Sequence, residues 1–558
     1  MNSNMFCFQC EQTSNGTGCT SESGVCGKRA ETAKLQDKLT GALITLATVL
    51  YENPGKKSEK TEKLVLEALF ATVTNVNFDN KVISKLIEET EKEIKHCSSG
   101  CQLCKSVFSS HKIFDIETIW NEKDDIRSLK SLILFGLRGM GAYAYHAMVL
   151  GFSDSETTNF IIKALQSLGK NLTTNDFIAL VLEVGKYNLK TIKLLDKANT
   201  STFGKPLPTE VSMKVDKGPF IVVSGHDLRD LQELLEQTKD KGINVYTHGE
   251  MLPAHSYPIL KNFTHLKGHF GTAWQNQQYE FEHLPAPILF TTNCIMKPKT
   301  SYADRVFTSG PVFYPDVKHI STKPYIETQH ETYKNKNVEI KYTQITEHSK
   351  DFSPVIDKAL ELGGYPRDTE HFGINGGSVL STGFAHDTVL SVAETLINAL
   401  DSGKIKHIFL VGGCDGAKIG RNYYTDFVKE TPKDSIILTM GCGKFRFNDL
   451  ELGTVAGLPR LMDMGQCNDA YSAIKVAEVL ADHYKCTIND LPITFVLSWF
   501  EQKAVAVFIT LLYLGIQDIY LGPSLPAFIS SNLLAYLIDN YNIHPTTNPK
   551  KDLEKMLK

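Results

Sequence analysis

Six potential metal ligands each follow a short apolar run, and the six runs are far apart in the sequence. The runs are rich in valine, isoleucine, leucine and phenylalanine, which is typical of buried parallel strands. The residues that follow them are His226, Glu250, Cys294, Cys414, Cys442 and Glu501. Because ligands bind at the carboxyl ends of strands in open α/β sheets, we expect these side chains to converge. With Cys467 they form a mixed soft and hard set that suits iron bound to both sulfur and oxygen.

The plain alternative for His226 and Glu250 is a capping or loop role, which is common for a single polar residue at a strand end. Cys294 argues against it, because all three residues follow strands of one predicted sheet. We call the seven residues His226, Glu250, Cys294, Cys414, Cys442, Cys467 and Glu501 the seven-residue set. Three of them fall in one predicted α/β domain and four in the next, so we expect a site at the interface between the two.

Four cysteines near the N-terminus form a second candidate site, which we call the N-terminal cysteine set. Cys7, Cys10, Cys19 and Cys26 follow the spacing C-x2-C-x8-C-x6-C among small and polar residues. Four thiolates repel one another, so only a bound cation or cluster makes their convergence favourable. Structural zinc sites usually pair two closely spaced knuckles, and the second pair here is spaced too widely. A four-cysteine iron–sulfur cluster fits at least as well.

The remaining cysteines give weaker signals. Cys97, Cys101 and Cys104 follow a predicted helix, and His96 is a conceivable fourth ligand. No other cysteine near in sequence completes such a site, so we interpret the three as free or adventitiously oxidised thiols. Cys486 has no glycine-rich setting and is predicted to be a plain thiol.

Composition excludes several classes of function. The net charge of −4 and the 42% apolar and 22% charged residues are those of an ordinary soluble protein without a nucleic-acid or anionic-membrane surface. The longest apolar stretch, 504–516, is too short to span a bilayer and predicts a core helix. The N-terminus has neither a basic region nor an apolar signal segment, so a cytoplasmic location is expected. Cysteines are too sparse for a disulfide scaffold.

The first 200 residues show helical periodicity, with short polar connections that favour antiparallel helical bundles. Helices are predicted over 33–52, 59–76, 80–96, 129–150, 155–168 and 175–195. His146 lies in the fourth of these and is interpreted as a packed helix residue. The stretch 200–218, with two prolines and no periodicity, predicts a linker.

Strands and helices alternate after the predicted linker, which favours parallel sheets. In the first α/β domain we predict a strand over 219–224 and a helix over 228–239 capped by Asp227. Segments 324–328 and 338–342 alternate around 334–337 and predict an antiparallel hairpin. In the second α/β domain we predict helices over 389–400, 470–483 and 503–514 and strands over 407–411, 435–440, 493–498 and 518–521. Glycines around Cys414 and Cys442 fit neither nucleotide-binding pattern and are better explained by close approach of a bulky cluster.

The predicted fold is therefore multidomain: an N-terminal all-α helical bundle domain, then two α/β domains with mainly parallel, Rossmann-like sheets. The predicted division is 1–205, 206–370 and 371–558.

At this point the motifs resemble those of a known family, the hybrid cluster proteins, also called prismane proteins or hydroxylamine reductases, over essentially the whole length. The carrying stretches are Met5-Phe6-Cys7 to Cys26-Gly27-Lys28, Ser224-Gly225-His226-Asp227, Thr247-His248-Gly249-Glu250, Thr292-Asn293-Cys294, Gly413-Cys414-Asp415-Gly416, Gly441-Cys442-Gly443-Lys444, Gly465-Gln466-Cys467 and Trp499-Phe500-Glu501-Gln502-Lys503.

The resemblance implies two clusters. The N-terminal cysteine set would hold a [4Fe-4S] cubane, with [2Fe-2S] as the alternative. The seven-residue set would hold a hybrid [4Fe-2O-2S] cluster clasped between the α/β domains. Cys414 matches the position found as a persulfide in the family, and Lys503 would lie beside the cluster as a proton donor. His248 and His255 would be pocket residues.

The function implied is reduction of hydroxylamine to ammonia and water, with Glu250, Cys414, Glu501 and Lys503 as catalytic residues. Since no flavin or nicotinamide fingerprint is present, electrons are expected from a separate reductase or ferredoxin-like protein. The alternatives are reduction of nitric oxide on the same cluster, and a non-catalytic sensor of redox or nitrosative stress. A nickel site of the carbon monoxide dehydrogenase type is disfavoured by the two carboxylates.

Overall fold

The computed structural model describes residues 5–99, 113–322, 333–335, 338–340 and 350–558. Its first part is helical, as the periodicity predicts. The helices are Ala30–Glu52, Glu59–Ala71, Asn80–Ser98, Glu117–Trp120, Asp124–Val149, Ser155–Leu168 and Thr174–Phe203. Their apolar faces form one core that continues into the second α/β sheet and its helices.

Local capping explains where several of these helices begin. The Asp154 side chain accepts a hydrogen bond from Thr157 N at 2.9 Å and starts the Ser155–Leu168 helix. Thr173 and Asp176 form a reciprocal capping box at the start of the Thr174–Phe203 helix. Such caps satisfy backbone N–H groups that have no partner within the helix.

A glycine allows the helix Asp124–Val149 to approach the second α/β region closely. A Cβ atom added at Gly139 would lie 2.3 Å from the carbonyl oxygen of Gln502. The Asp124–Val149 helix therefore packs backbone to backbone against the Gln502–Tyr513 helix. The latter is the core helix predicted for the apolar stretch 504–516.

Eighteen strands are described, and most belong to two parallel sheets. In chain order they are β1 Thr209–Ser212, β2 Phe220–Ser224, β3 Asn244–His248, β4 Leu266–His269, β5 Ile288–Phe290, β6 Val306–Ser309, β7 Lys318–Ile320, β8 Tyr333–Asn335, β9 Val338–Ile340, β10 Val379–Thr382, β11 His407–Gly413, β12 Ser435–Thr439, β13 Thr454–Val455, β14 Leu458–Pro459, β15 Leu461–Asp463, β16 Ile493–Ser498, β17 Ile519–Gly522 and β18 His544–Pro545.

The two large sheets have six strands each. The first has the order β4-β3-β2-β5-β6-β7, and the second has the order β15-β12-β11-β16-β17-β18. Every pairing within them is parallel. Their central strands are buried on both faces, which is why they read as continuous apolar runs. The predicted fold class is confirmed.

Helices accompany both sheets. They are Leu228–Thr238, Pro258–Lys261, Gln277–Glu280, Ser353–Leu362, His386–Ser391, Ala393–Asp401, Asn422–Glu430, Ala470–Tyr484, Gln502–Tyr513, Ser531–Tyr541 and Pro549–Met556. Asp227 caps the first of them as predicted, accepting from the backbone N–H groups of Arg229 and Asp230. The predicted helix 389–400 is two helices that meet at Val392.

The prediction of a linker over 200–218 was wrong at its start and in its middle. The preceding helix continues to Phe203, whose side chain is fully buried, and ends where Gly204 adopts a positive φ of 88°. Strand β1 then pairs antiparallel with β10. Apolar periodicity missed the end of the helix and the whole of β1. The strand was missed because its partner, β10, lies far away in the sequence.

The predicted hairpin is described only in part. Strands β8 and β9 pair antiparallel, and β9 lies within the second predicted segment. The predicted turn over 334–337 was placed too early, because β8 continues to Asn335. The first predicted segment, 324–328, lies outside the described residues. The division into 1–205, 206–370 and 371–558 stays a prediction; each six-stranded sheet falls within one predicted unit, whereas the β1–β10 pair joins the second unit to the third.

Within the described part of the chain, we find no helix with both the length and the apolarity needed to cross a membrane.

Candidate metal centres

The seven-residue set stands at the carboxyl ends of adjacent strands. In the first sheet, His226 follows β2, Glu250 follows β3 and Cys294 follows β5. Strand β2 lies between β3 and β5. In the second sheet, the residues Cys414, Cys442, Cys467 and Glu501 follow β11, β12, β15 and β16, which are also neighbours. Parallel strands end at one edge, so each sheet delivers its ligands together.

Three members of the set, from both sheets, lie close enough to bind one metal ion. Ligand atoms of His226, Glu250 and Cys467 all fall within 4.8 Å of one another. The distance from His226 Nε2 to Glu250 Oε2 is 3.7 Å. The backbone N–H of Cys467 donates to Glu250 Oε2 at 2.9 Å, which couples the two sheets directly.

The hydrogen bonds around His226 determine which ring nitrogen carries the lone pair that could bind a metal. Lys503 Nζ lies 3.0 Å from His226 Nε2 and can only donate, so Nε2 carries the lone pair. Nδ1 lies 2.9 Å from Thr292 Oγ1 and therefore carries the proton. Burial, and then the charge of Lys503, hold the pKa of His226 well below its usual range. The imidazole is thus neutral, as a metal ligand must be.

Lys503 is the buried cation beside the set. Its Nζ lies 3.1 Å from Asn293 Oδ1 and 3.8 Å from Glu501 Oε1. Burial lowers its pKa, but Cys467, Glu501, Cys294 and Glu250 outweigh this, so its pKa is raised. Glu501 also caps the helix that carries Lys503, because its Oε2 accepts from Lys503 N at 2.8 Å.

The strand end before Cys414 requires a glycine. Gly413 has φ of +114°, and a Cβ atom there would lie 2.1 Å from the carbonyl oxygen of Ser498. The Cys414 backbone N–H donates to the same oxygen at 2.8 Å. Close contact between β11 and β16 thus fixes the position of Cys414.

The surroundings of the four thiols of the set disfavour their free ionisation. Burial raises the pKa of Cys467 to about 12, partly offset by Lys503. Burial is also the main cause of the raised pKa values of Cys294, Cys414 and Cys442, and neighbouring anionic groups add to it. Thiols in such a place lose their protons only to a cation that replaces them.

The carboxylates lead to the same conclusion. Burial raises the pKa values of Glu250 and Glu501. Glu250 Oε1 is buried and has no hydrogen-bond partner among the described residues. An unpartnered carboxylate oxygen beside converging thiols and a neutral imidazole is a donor arrangement that a multinuclear iron group would satisfy. The set therefore fits the group that the sequence predicts for it.

Gln466 joins the two sheets at this site, a role that no sequence pattern predicted. Its Nε2 donates to the carbonyl oxygens of His226 at 3.2 Å and Glu250 at 2.8 Å. Gln466 precedes Cys467, so one side chain aligns three ligand-bearing loops. Its own backbone N–H donates to Asp469 Oδ2 at 2.7 Å, which holds the donor loop.

Replacing Gln466 with leucine is expected to loosen the interface. Two buried carbonyls would lose their donor, at a cost of about 1–3 kcal/mol each. We expect a lower midpoint of thermal unfolding and fewer iron atoms per chain after anaerobic purification. Gln232→Leu is the control, since the hydrogen bond that the structure describes for the Gln232 side chain lies within its own helix, to Glu236. Equal iron content in the two variants would contradict the positioning role.

A fully buried ion pair holds the Cys442 and Cys467 loops together. Lys444 Nζ lies 2.9 Å from both carboxylate oxygens of Asp463 and donates to Gly465 O at 2.9 Å. Lys444 follows Cys442 by two positions, and Gly465 precedes Cys467 by two. Breaking a buried pair leaves an uncompensated charge, so this pair is a structural support of the site.

The N-terminal cysteine set is brought together by a short bridge and a glycine. Cys7 and Cys19 exchange two backbone hydrogen bonds, of 3.1 Å and 2.8 Å. A Cβ atom at Gly24 would lie 3.6 Å from Cys26 Sγ and 3.7 Å from Cys19 Sγ, so these sulfurs face the same point. Burial, then Cys26 and Cys7, raise the pKa of Cys10. This set also fits a metal cluster.

The two candidate centres share one apolar cluster of side chains. Cys10, Trp274, Cys414 and Phe500 pack together, with Cys294 and Cys442 against them. The ring centroids of Trp274 and Phe500 are 4.4 Å apart. The N-terminal segment thus reaches the seven-residue set directly.

Polar contacts of Gln9 and Glu11 hold the N-terminal segment against the second α/β region. Glu11 Oε2 pairs with Arg421 at 3.0 Å, and the Glu11 backbone N–H donates to Phe500 O at 3.0 Å. Arg421 also donates to Ser498 Oγ at 2.7 Å and to Cys414 O at 3.2 Å. Gln502 Nε2 donates to Gln9 O at 2.7 Å. The same strand-end loops therefore hold both sets.

The other histidines that the sequence singled out serve packing and hydrogen bonding. His248 bonds to Ser224 Oγ at 2.9 Å and Glu280 Oε2 at 3.1 Å, and His255 bonds to Thr247 Oγ1 at 3.0 Å. His146 is buried, as predicted, with its ring centroid 6.2 Å from that of His226.

Among the other cysteines, Cys97 is a buried thiol 3.7 Å from Glu93 Oε1. Burial, with Glu93, raises its pKa to about 11, which favours the neutral thiol. Cys101 and Cys104 lie outside the described residues. Cys486 is half-buried, and the structure leaves it as a free thiol.

Comparison with known proteins agrees with the resemblance seen in the sequence. The Prismane/CO dehydrogenase family model matches residues 5–554. A hydroxylamine reductase of Syntrophobacter fumaroxidans is 48% identical over 575 residues, covering 99% of this chain and 100% of that protein. A hydroxylamine reductase of Thermodesulfovibrio yellowstonii is also 48% identical, and one of Methanocella arvoryzae is 44% identical, each over 99% of this chain and all of the relative.

Solved structures of the same architecture are carbon monoxide dehydrogenases. Carbon monoxide dehydrogenase IV from Carboxydothermus hydrogenoformans superposes with a TM-score of 0.57 at 17% identity, covering 99% of this chain and 92% of that one. A nickel-free carbon monoxide dehydrogenase from Thermococcus sp. AM4 gives 0.53 at 16% identity, covering 99% and 90%. At such low identity these structures show a shared fold.

Proposed function

The chain belongs to the prismane/CO dehydrogenase family, and from this premise we propose that it is an iron–sulfur oxidoreductase that reduces hydroxylamine to ammonia and water. The observation that carries the proposal is the convergence of His226, Glu250 and Cys467 within 4.8 Å beside a buried lysine. The full-length identity to proteins named hydroxylamine reductase supports the choice of substrate.

We further propose that the seven-residue set holds a hybrid [4Fe-2O-2S] cluster and the N-terminal cysteine set a [4Fe-4S] cluster. When bound, these groups supply electrons and Lewis-acid positions for an N–O substrate. The reaction consumes hydroxylamine, two electrons and two protons, breaks the N–O bond, and releases one ammonia and one water.

The residues of the chain position the ligand atoms, exclude water and hold a proton near the site. Glu250 and Glu501 offer oxygen ligands, and Cys414 offers a sulfur on the side that faces Cys10 and Phe500. Lys503 carries a proton at Nζ next to the ligand edge of His226 and is held by Asn293. Its raised pKa keeps Nζ protonated at neutral pH, while burial excludes bulk water.

Electrons would enter through the N-terminal cysteine set. Cys7 and Cys26 are the half-buried members, and Cys10 packs in the same apolar cluster as Cys414 of the seven-residue set. This order runs from surface to interior and fits a relay from an external protein donor, such as a reductase or a ferredoxin-like protein.

Replacing Lys503 with methionine is expected to lower kcat for hydroxylamine by roughly 10²–10⁴-fold, the usual contribution of a positioned proton donor. Iron content should stay near the wild-type value, because Lys503 is not one of the seven residues. Lys475→Met serves as the control, since Lys475 makes an exposed pair with Glu478. Unchanged kcat in Lys503→Met would remove Lys503 from the proton pathway.

The proposed activity is tested with anaerobically purified protein, iron counting and a reduced dye as donor. We expect multiple turnovers, one ammonia for every two electrons, and a kcat/KM for hydroxylamine above that for nitric oxide. A higher kcat/KM for nitric oxide, with nitrous oxide as product, would reassign the substrate. Spectroscopic change without turnover on either substrate would indicate a sensor.

A further inference from the structure

The helix Asp124–Val149 carries a buried hydroxyl that the proposed mechanism does not use. The Tyr143 side chain is only 1% exposed, and its hydroxyl oxygen has no hydrogen-bond partner among the residues that the structure describes. An unpaired buried hydroxyl costs about 1–3 kcal/mol, so its place in the fold calls for a partner.

The position of this hydroxyl is fixed by the close helix packing already described. Tyr143 lies four residues after Gly139, on the same face of the helix, where the backbone approaches Gln502. That approach brings a tyrosine of the N-terminal helices to the edge of the seven-residue set. The same helix carries Arg138, which bonds to Thr40 Oγ1 at 2.8 Å and to Gln9 beside Cys10.

The groups around the Tyr143 hydroxyl are members of the seven-residue set. Burial raises its pKa well above the usual value, and among its neighbours Cys467 contributes most, followed by Glu501 and Cys414. Cys467 is thus the member of the set with the strongest electrostatic effect on this hydroxyl.

The surroundings offer this hydroxyl few other acceptors. Tyr143, Cys414 and Cys467 line one small cavity, whose other walls are largely apolar and include Phe495, Val507, Phe508 and Leu511. In such an environment a hydrogen bond to a charged sulfur is strengthened, because the local dielectric constant is low.

We propose that the Tyr143 hydroxyl donates a hydrogen bond to the sulfur of Cys467 when that sulfur ligates iron, and that this bond raises the redox potential of the centre. A donor directed at a ligand sulfur stabilises the reduced, more negative state of an iron–sulfur centre. Tyr143 is therefore a positioning and tuning residue. The proposal rests on the ligand set assigned under the proposed function, whatever substrate the centre reduces.

The test is a redox titration of the iron-loaded, full-length protein, followed by EPR. Tyr143→Phe removes only the hydroxyl and is expected to shift the midpoint potential of the second centre to a more negative value, with iron content unchanged. Tyr145→Phe is the matched control. Tyr145 is buried on the same helix but packs against Phe70 at 5.5 Å and has Glu67, Asp227 and Asp230 as its charged neighbours.

A second variant protects the test against loss of the centre. Replacement of Tyr143 by 3-fluorotyrosine keeps the shape, strengthens the donor, and is expected to shift the potential in the positive direction. Equal midpoint potentials in the wild type, Tyr143→Phe and the fluorinated protein would overturn the proposal. If Tyr143→Phe loses iron, the fluorinated protein decides: a midpoint potential no higher than that of the wild type would overturn the proposal. The titration needs no substrate, so failure to reduce hydroxylamine would count against the proposed function alone.

Discussion

Cys414→Ala is expected to abolish the reduction of hydroxylamine. Cys414 is a proposed ligand that packs in the same apolar cluster as Cys10, Trp274 and Phe500. Its loss should remove both a sulfur ligand and the nearest link to the electron supply. We expect kcat to fall by roughly 10³-fold or more, equivalent to about 4 kcal/mol of lost transition-state stabilisation.

The measurement is steady-state ammonia formation with a reduced dye, together with iron counting and EPR of the second centre. Cys486→Ala is the matched control, because Cys486 is a half-buried free thiol in a position without ligand neighbours in the described structure. It should retain wild-type activity and iron. Full hydroxylamine turnover in Cys414→Ala, with its EPR signal altered or lost, would mean that the reaction does not occur at the seven-residue set.

Cys26→Ala is expected to separate electron delivery from chemistry. Cys26 belongs to the N-terminal cysteine set but not to the apolar cluster shared with Cys414. Its replacement should disrupt the first centre and leave the second intact. With a protein donor, turnover should fall by roughly 10²-fold, equivalent to about 2.7 kcal/mol at the limiting step.

The comparison with Cys10→Ala makes this experiment sharper. Cys10 contacts the seven-residue set, so its loss should disturb the EPR signals of both centres, whereas Cys26→Ala should alter only one. Cys97→Ala is the control, since Cys97 is a buried thiol near Glu93 in the helical region. Unchanged turnover with the protein donor in Cys26→Ala would show that electrons reach the second centre by another route.

The fold class and the positions of the ligand-type residues could be predicted because both depend on local patterns. Apolar runs mark buried parallel strands, and the residue after each run stands at a carboxyl end, as His226 after β2 and Cys442 after β12 do. Polar caps such as Asp227 are also local, since the side chain bonds to backbone two and three positions later. Spacing alone likewise indicated the N-terminal cysteine set.

Several elements were missed where the local pattern was weak or the partner distant. Strand β1 pairs with β10, about 170 positions later along the chain, and lay in a predicted linker. The helix Asn422–Glu430 follows the glycine-rich loop after Cys414 and buries Tyr424 and Phe427 under the second sheet. A short amphipathic segment of this kind obtains its stability from the sheet it covers, so its own sequence carries little signal.

Seven candidate ligands, four N-terminal cysteines and a parallel α/β architecture were determined by the sequence alone. Only the tertiary structure decided how they are held. Gln466 donates to the carbonyl oxygen of His226, 240 positions away, and Lys503 lies against the ring of His226 over 277 positions. Tyr143, from another region of the chain, lines one cavity with Cys467. The physical reason is that hydrogen bonds to backbone carbonyls and buried side chains depend on which surfaces pack together. Strand periodicity places a residue at the carboxyl end of a strand, but it does not determine which side chains lie opposite that residue in the folded protein.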